Sequence, residues 1–298
     1  ARGPINAILQ ASRTSAQKGG RAQRSVEQGC AIKASGLTKH FGEVLAVNGI
    51  DLRIPRGQIF GFLGANGSGK STTVRMLTTL LKPTAGSASV GGLNVEKQAR
   101  TVRRRIGVAL QEAGLDDLQT GRELLRLQSH LYGLERKTIE RRIDELLRVV
   151  DLADAADRRI GTYSGGMRRR LDLASALIHA PKIIFLDEPT TGLDPISRES
   201  LWRYLERLNT KDGVTFFLTT QYLEEADRLA HEVAILDAGK IVAQGSPQEL
   251  KASIGSEVIV VELGSEMEAE KAQRLEGLAS VNEVRRDGRQ LSIYVPSS

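Results

Sequence analysis

The chain has 298 residues, 40% of them hydrophobic, enough for one large domain or two modest ones with a real core. Lysines and arginines number 42 against 36 acids, a net charge of +6 that favours anionic partners such as nucleotides, nucleic acid or an acidic membrane surface. A lone cysteine, Cys30, excludes an intrachain disulfide, and apolar runs such as IIFL and VTFFL fall far short of the roughly 20 residues that span a bilayer.

Residues 1–30 are rich in Ser, Gly, Gln and Arg and hold a single acid, Glu27, so they are expected to form a disordered tail, with a composition compatible with a transit peptide. Regular pattern begins at Ala31. Strand-like AIKASGL and VLAVNGIDLRI lead to the apolar strand QIFGFLG, and helical periodicity follows through STTVRMLTTLL as far as Lys82-Pro83. From about 100 to 163 the leucines 124, 125, 127, 131 and 134, then Ile139, Ile143, Leu146, Leu147 and Val150, recur at helical spacing and predict an α-helical insert. Helix LDLASALIHA, strand KIIFLDEP, helix ESLWRYLERL, strand VTFFLTT, helix LEEADRLA and a hairpin turning at Ala238-Gly239 complete an α/β unit over 31–245. Residues 255–298 read as a small β-α-β-β domain with a helix near 267–278.

Two stretches carry chemistry. GANGSGKST, residues 64–72, lies between an apolar strand and an amphipathic helix, the setting in which G-x-x-x-x-G-K-[ST] forms a phosphate loop. Gly64, Gly67 and Gly69 let the backbone N–H groups, with those of Asn66 and Ser68, curl toward phosphate oxygens; Lys70 reaches the terminal phosphates, Ser71 offers a hydroxyl to Mg²⁺, and Thr72 closes the loop. In IIFLDEP an apolar strand delivers Asp187 and Glu188 at its carboxyl end, where open parallel sheets bind ligands. Asp187 suits Mg²⁺ and Glu188 suits a general base, so ATP hydrolysis is the expected chemistry.

A third stretch, YSGGMRRRL at 163–171, offers Ser164, Gly165 and Gly166 at a helix start, a second anion cap; Arg168, Arg169 and Arg170 are expected on an exposed basic face without ATP contacts of their own. Taken together, these segments resemble the ATP-binding subunit of an ABC transporter over about 32–245. Residues 64–72 match the Walker A loop, IIFLDE the Walker B strand and SGG the signature; Gln111 matches the Q-loop, which contacts the metal, and Asp194 in TGLDP the D-loop. The resemblance implies a P-loop NTPase core with an N-terminal antiparallel β subdomain. It also implies a head-to-tail sandwich in which the signature of one copy closes over ATP held by another, with Phe41 stacked on adenine. Tyr163 and Met167 depart from the usual signature. Gln221 stands where the family usually has a histidine on the γ-phosphate; the amide keeps hydrogen bonding but cannot become a cation, so slower or less pH-dependent turnover is expected.

GFLGANGSGKSTTVRMLTTLLKPTAG and TTQYLEEAD look most like drug and lipid exporters of the daunorubicin-resistance type. That resemblance implies an integral membrane permease as partner, two identical ATP-binding chains, a peripheral place on the cytoplasmic face of the membrane, and no nucleic acid. A soluble ABC-type ATPase acting on nucleic acid or ribosomes is the alternative, and a non-hydrolysing nucleotide switch a third. Leu115, Leu118 and Leu124, beside Gln111, are candidates for the surface that receives the permease, with Leu124 expected inside the insert.

Overall fold

The computed structural model describes residues 29–110, 114–253, 257–262, 283–287 and 290–295, so residues 1–28 of the predicted tail and Gln111 lie outside the described residues, while Cys30, expected in the tail, already begins the first strand. After Ser246 the chain separates into two compact units. The first opens with β1 (Cys30–Phe41) and β2 (Val44–Pro55), which pair antiparallel; β3 (Ile59–Gly64) then runs into helix α1 (Lys70–Leu77). Strands β4 (Ala85–Val90) and β5 (Leu93–Asn94) join the first two in an antiparallel sheet of order β2-β1-β4-β5.

Short helix α2 (Ala99–Arg103) leads into β6 (Ile106–Ala109). This strand falls within the predicted insert but pairs in parallel with β7 (Ile183–Asp187), so the insert begins after it. At four residues β6 is too short to show a period of its own. The insert holds α3 (Gly121–Leu131) and α4 (Arg136–Val149). Thr120 and Glu123 cap α3 reciprocally, each side chain bonding the other's backbone N–H. Leu124 and Leu125 of α3 pack inward with Ile139, Ile143, Leu146 and Leu147 of α4, while Leu127 and Leu131, also expected in that stripe, are exposed.

The chain then forms α5 (Gly165–Leu177), β7, α6 (Pro195–Asp212), β8 (Thr215–Thr220), α7 (Leu223–Leu229), β9 (Glu232–Asp237) and β10 (Lys240–Gly245). The second sheet has the order β10-β9-β3-β8-β7-β6; all neighbours are parallel except the hairpin β9–β10, whose turn holds Ala238 and Gly239 at positive φ. Its central strands are buried on both faces, as parallel strands between helices must be. Alternation along them sorts the core. Phe60, Phe62, Phe185 and Phe217 point to α1 and the antiparallel sheet, with Phe62 and Phe217 centroids 5.2 Å apart; Ile184, Leu186, Phe216 and Leu218 point to α5, α6 and the insert.

Two helices stop earlier than periodicity predicts. α1 ends at Leu77, because Thr78 Oγ1 donates back to the Val74 carbonyl at 2.8 Å and Thr79 turns to φ 68, so TTLL leaves the helix. α5 ends at Leu177, short of Pro181. The second unit contains α8 (Pro247–Ser253) and the strands β11 (Glu257–Glu262), β12 (Glu283–Asp287) and β13 (Gln290–Val295) in antiparallel order β11-β13-β12. The helix expected near 267–278 lies outside the described residues.

Candidate functional site

Register brings the chemistry together. In the parallel sheet Leu63 lies opposite Thr220 and Asp187 opposite Thr219, so the phosphate loop, the Asp187-Glu188 pair and the end of β8 emerge at one edge. The loop is built around two residues without a Cβ. Gly69 adopts φ 106, and a side chain there would meet the Ala46 carbonyl; a Cβ on Gly64 would sit 2.5 Å from both Leu236 O and Ser68 Oγ. Gly67 also has positive φ, which leaves Asn66 and Gly67 exposed at the rim while Ser68 is buried with its hydroxyl unpartnered. Gly239 N–H donates to the Ser68 carbonyl at 3.0 Å and ties the loop to the β9–β10 turn.

Lys70 is buried at the start of α1, its Nζ donating to the carbonyls of Gly64 at 2.8 Å and Ala65 at 3.0 Å. Burial lowers its pKa, and the nearby Glu188 and Asp187 oppose that shift. Ser71 and Thr72 are half-buried on the same turn.

Asp187 and Glu188 are both buried. Glu188 stands at φ 53, a strained conformation for a residue with a Cβ, of the kind worth about 1–3 kcal/mol and held by its surroundings. Thr219 does the holding: Glu188 N–H donates to its carbonyl and to its Oγ1, both at 3.1 Å, while Thr219 Oγ1 donates to Asp187 Oδ1. Thr191 Oγ1 donates to Glu188 Oε2 at 3.3 Å. These threonines had no sequence signal beyond a place at a strand end and in a turn. Gln221 is half-buried one residue past β8, at the same edge. Behind it Glu225 is buried, its carboxyl pushed up by burial and accepting from Trp202 Nε1 at 3.3 Å.

The SGG turn is separate. Ser164 caps α5, its Oγ accepting from Met167 N–H at 3.3 Å; Tyr163 beside it is buried, donating to the Ala155 carbonyl at 2.6 Å. Ser164 and Gly165 are exposed, and a Cβ on Gly165 would find nothing within 4 Å. Asp194 is also at the surface, capping α6 by accepting from Ser197 N–H at 2.9 Å and Ser197 Oγ at 2.6 Å, bonds that lower its pKa. Phe41 is 48% exposed at the end of β1 with Lys39 Nζ 5.2 Å from its ring centroid, so it is no core residue.

The exposed basic face expected for the three arginines is not what forms. Arg168 pairs with Asp117 at 2.6 Å, Arg170 with Asp151 at 3.0 Å, and Arg169 turns inward onto backbone carbonyls. On a helix, consecutive residues point about 100° apart, so a triplet cannot share one solvated face.

A family model for ABC transporters matches residues 47–191. The daunorubicin/doxorubicin resistance ATP-binding protein DrrA of Streptomyces peucetius is 47% identical over 245 residues, covering 82% of this chain and 74% of that protein. The chain belongs to the ABC transporter ATP-binding proteins. The Nod factor export ATP-binding protein I of Rhizobium sp. (strain N33) is 42% identical over 239 residues, covering 80% of this ABC protein and 78% of its relative. Among solved structures, a dimeric bacterial ABC transporter cassette matches with TM-score 0.69 at 28% identity, over 72% of this chain and 98% of that one. A dimeric cassette in a post-hydrolysis state, bound to ADP and Pi, matches with TM-score 0.68 at 27% identity, over 72% of this chain and 98% of that one. The fold is therefore that of an ABC ATPase cassette.

Proposed function

We propose that this chain hydrolyses ATP as half of a head-to-tail dimer that drives export of a drug-like or lipid-like molecule through a separate membrane permease, from the cytoplasmic face. The observation that carries the reading is the convergence of Lys70, Asp187 and Glu188 at one sheet edge, with Glu188 fixed at positive φ by Thr219. Backbone N–H groups of residues 64–72 cradle the phosphates and Lys70 faces the terminal ones. Glu188 accepts the proton of the attacking water, and Gln221 orients the γ-phosphate without carrying charge. Phe41, exposed at the strand end, stacks on the base.

Mg²⁺ fits this donor set. No cluster of three or more His, Cys, Asp or Glu exists among the described residues, which suits an ion that keeps several waters and takes one or two carboxylates plus substrate phosphates. Asp187 and Ser71 would hold it, with Gln111 outside the described residues; bound there, it would neutralise charge between the β- and γ-phosphates.

Gly165 supports the sandwich. Among the described residues nothing lies within 4 Å of a Cβ built there, so its backbone is open to close approach by an external group; Ser164, Gly165, Gly166 and the D-loop Asp194 would face the nucleotide of the second copy. A permease is implied by transport, since no helix among the described residues is long and apolar enough to cross a membrane. Leu118, 75% exposed where the insert begins, is the strongest apolar candidate for its docking surface, whereas Leu124 is buried and Leu115 partly so. In the insert Arg122 pairs with Asp144, Asp157 and Glu140, and Arg126 with Glu140, so these two cations are engaged by acids of their own chain.

The reading is tested by expressing the Glu188→Gln chain in its native host with MgATP and extracting membranes in detergent. Co-purification of a polytopic membrane protein in fixed ratio supports it. A soluble protein that instead brings down ribosomes or nucleic acid overturns it.

A further inference from the structure

The helix that starts at the SGG turn carries a second group to the catalytic edge. Arg169 lies about one and a half turns beyond Ser164. Its side chain is only 11% exposed, and its guanidinium donates from Nη1 to the Leu110 carbonyl at the end of β6 and from Nη2 to the Asp187 carbonyl at the end of β7. The Asp187 carbonyl belongs to the peptide that places Glu188, the same peptide whose N–H is fixed by Thr219. Asp172, one turn further on and 15% exposed, lies 3.5 Å from Nη1. Burial pushes the Asp172 carboxyl up to about 6 against the pull of Arg169, while Arg169 is lowered by burial and held by Asp172, Asp187, Glu188 and Glu225. A desolvated cation bonded to two strand ends is costly to bury and poorly explained as a surface charge.

We propose that Arg169, oriented by Asp172, is a positioning residue that transmits the placement of the SGG turn to the Asp187–Glu188 peptide and the end of β6. It thereby couples the half-site this chain lends to a second copy with the half-site it completes itself. The inference rests on the sandwich proposed above. α5 is a continuous helix of 13 residues, so a shift of its N-terminus, drawn onto a γ-phosphate, moves Arg169 with it. Arg169 reaches the carbonyls of two separate strand ends with two different nitrogens of one planar fork; a lysine keeps the charge but must donate from a single nitrogen and loses that fixed geometry.

Arg169→Lys is therefore the decisive variant, with Asp172→Asn as the second, both in the full chain. Steady-state kcat and KM for MgATP are read by phosphate release, nucleotide affinity by a fluorescent ATP analogue, and ATP-driven dimerisation by light scattering in a Glu188→Gln background. Arg169→Lys should lower kcat by about tenfold or more, with affinity and melting temperature near wild type and dimerisation intact; Asp172→Asn should show a smaller loss of the same kind. Wild-type kcat in Arg169→Lys, or a parallel fall of kcat, affinity and melting temperature in both variants, would overturn the coupling role alone. Failure of the Glu188→Gln chain itself to dimerise with ATP would overturn the sandwich and the inference with it.

Discussion

The two glycine-rich turns of this chain, residues 64–72 and the SGG turn, are built in opposite ways. In the phosphate loop three residues answer to contacts within the chain: a side chain on Gly64 would meet Leu236 and Ser68, one on Gly69 would meet Ala46, and Lys70 is buried on loop carbonyls. At the SGG turn, among the described residues, nothing lies within 4 Å of a Cβ built on Gly165, which is exposed. The first is a finished cradle held by the fold. The second is open surface, the place where we propose that a second copy docks.

That contrast is broken or sharpened by substitution. The largest effect belongs to Glu188→Gln, which should cut phosphate release by about 10² or more while leaving nucleotide binding in place; an unchanged rate would mean that Glu188 is not the base. Next comes a pair of glycines. Gly69→Ala forces a side chain into φ 106 against Ala46 and should cost about 1–3 kcal/mol of stability along with ATP binding, read by thermal melting and nucleotide titration. Gly165→Asp should do the reverse: an acid in the first turn of α5 leaves melting unchanged or slightly raised, by about 0.3–1 kcal/mol, yet abolishes ATP-driven dimerisation. If both substitutions damaged stability alike, the distinction between the turns would be lost.

A smaller loss, about tenfold in kcat, is expected for Gln221→Ala, with Gln221→His restoring or exceeding the parental rate; a parental rate in Gln221→Ala would remove Gln221 from the reaction. The smallest effect concerns the far end of the signature helix. Burial lowers His179 from 6.5 to about 4, and its Nε2 lies 3.0 Å from the Ile106 carbonyl. Because the folded pKa is below the unfolded one, this stability is fully present above pH 6.5 and declines as pH falls toward 4. Denaturant melts of His179→Gln should lose that part of the acid slope, while nucleotide affinity at neutral pH stays the same.

Much of the site was legible because its motifs are contiguous: GANGSGKST, IIFLDE and SGG each fit within one turn or one strand, and the parallel register then assembles the first two. What escaped reading depends on direction rather than identity. Arg168, Arg169 and Arg170 are one kind of residue in sequence, yet helix geometry sends Arg169 into the molecule; the signal is Asp172 at i+3, an acid on the same side of the helix as Arg169 and the buried Ala176. Thr219 becomes a support for Asp187 and Glu188 only through strand register. β6 reads as part of the insert because four residues carry no period, and α1 reads longer than it is because Thr78 and Thr79 continue an apolar pattern that their own backbone interrupts.

Whether the SGG turn serves the nucleotide of a second copy is tested most directly by mixing two inactive chains, Lys70→Ala and Gly165→Asp. Each alone spoils both sites of a symmetric dimer. In a mixed dimer, the intact loop of the Gly165→Asp chain meets the intact turn of the Lys70→Ala chain. Equal mixing should restore phosphate release that neither chain shows alone, since only the mixed pair joins an intact loop to an intact turn. A mixture as inactive as its components would contradict the account.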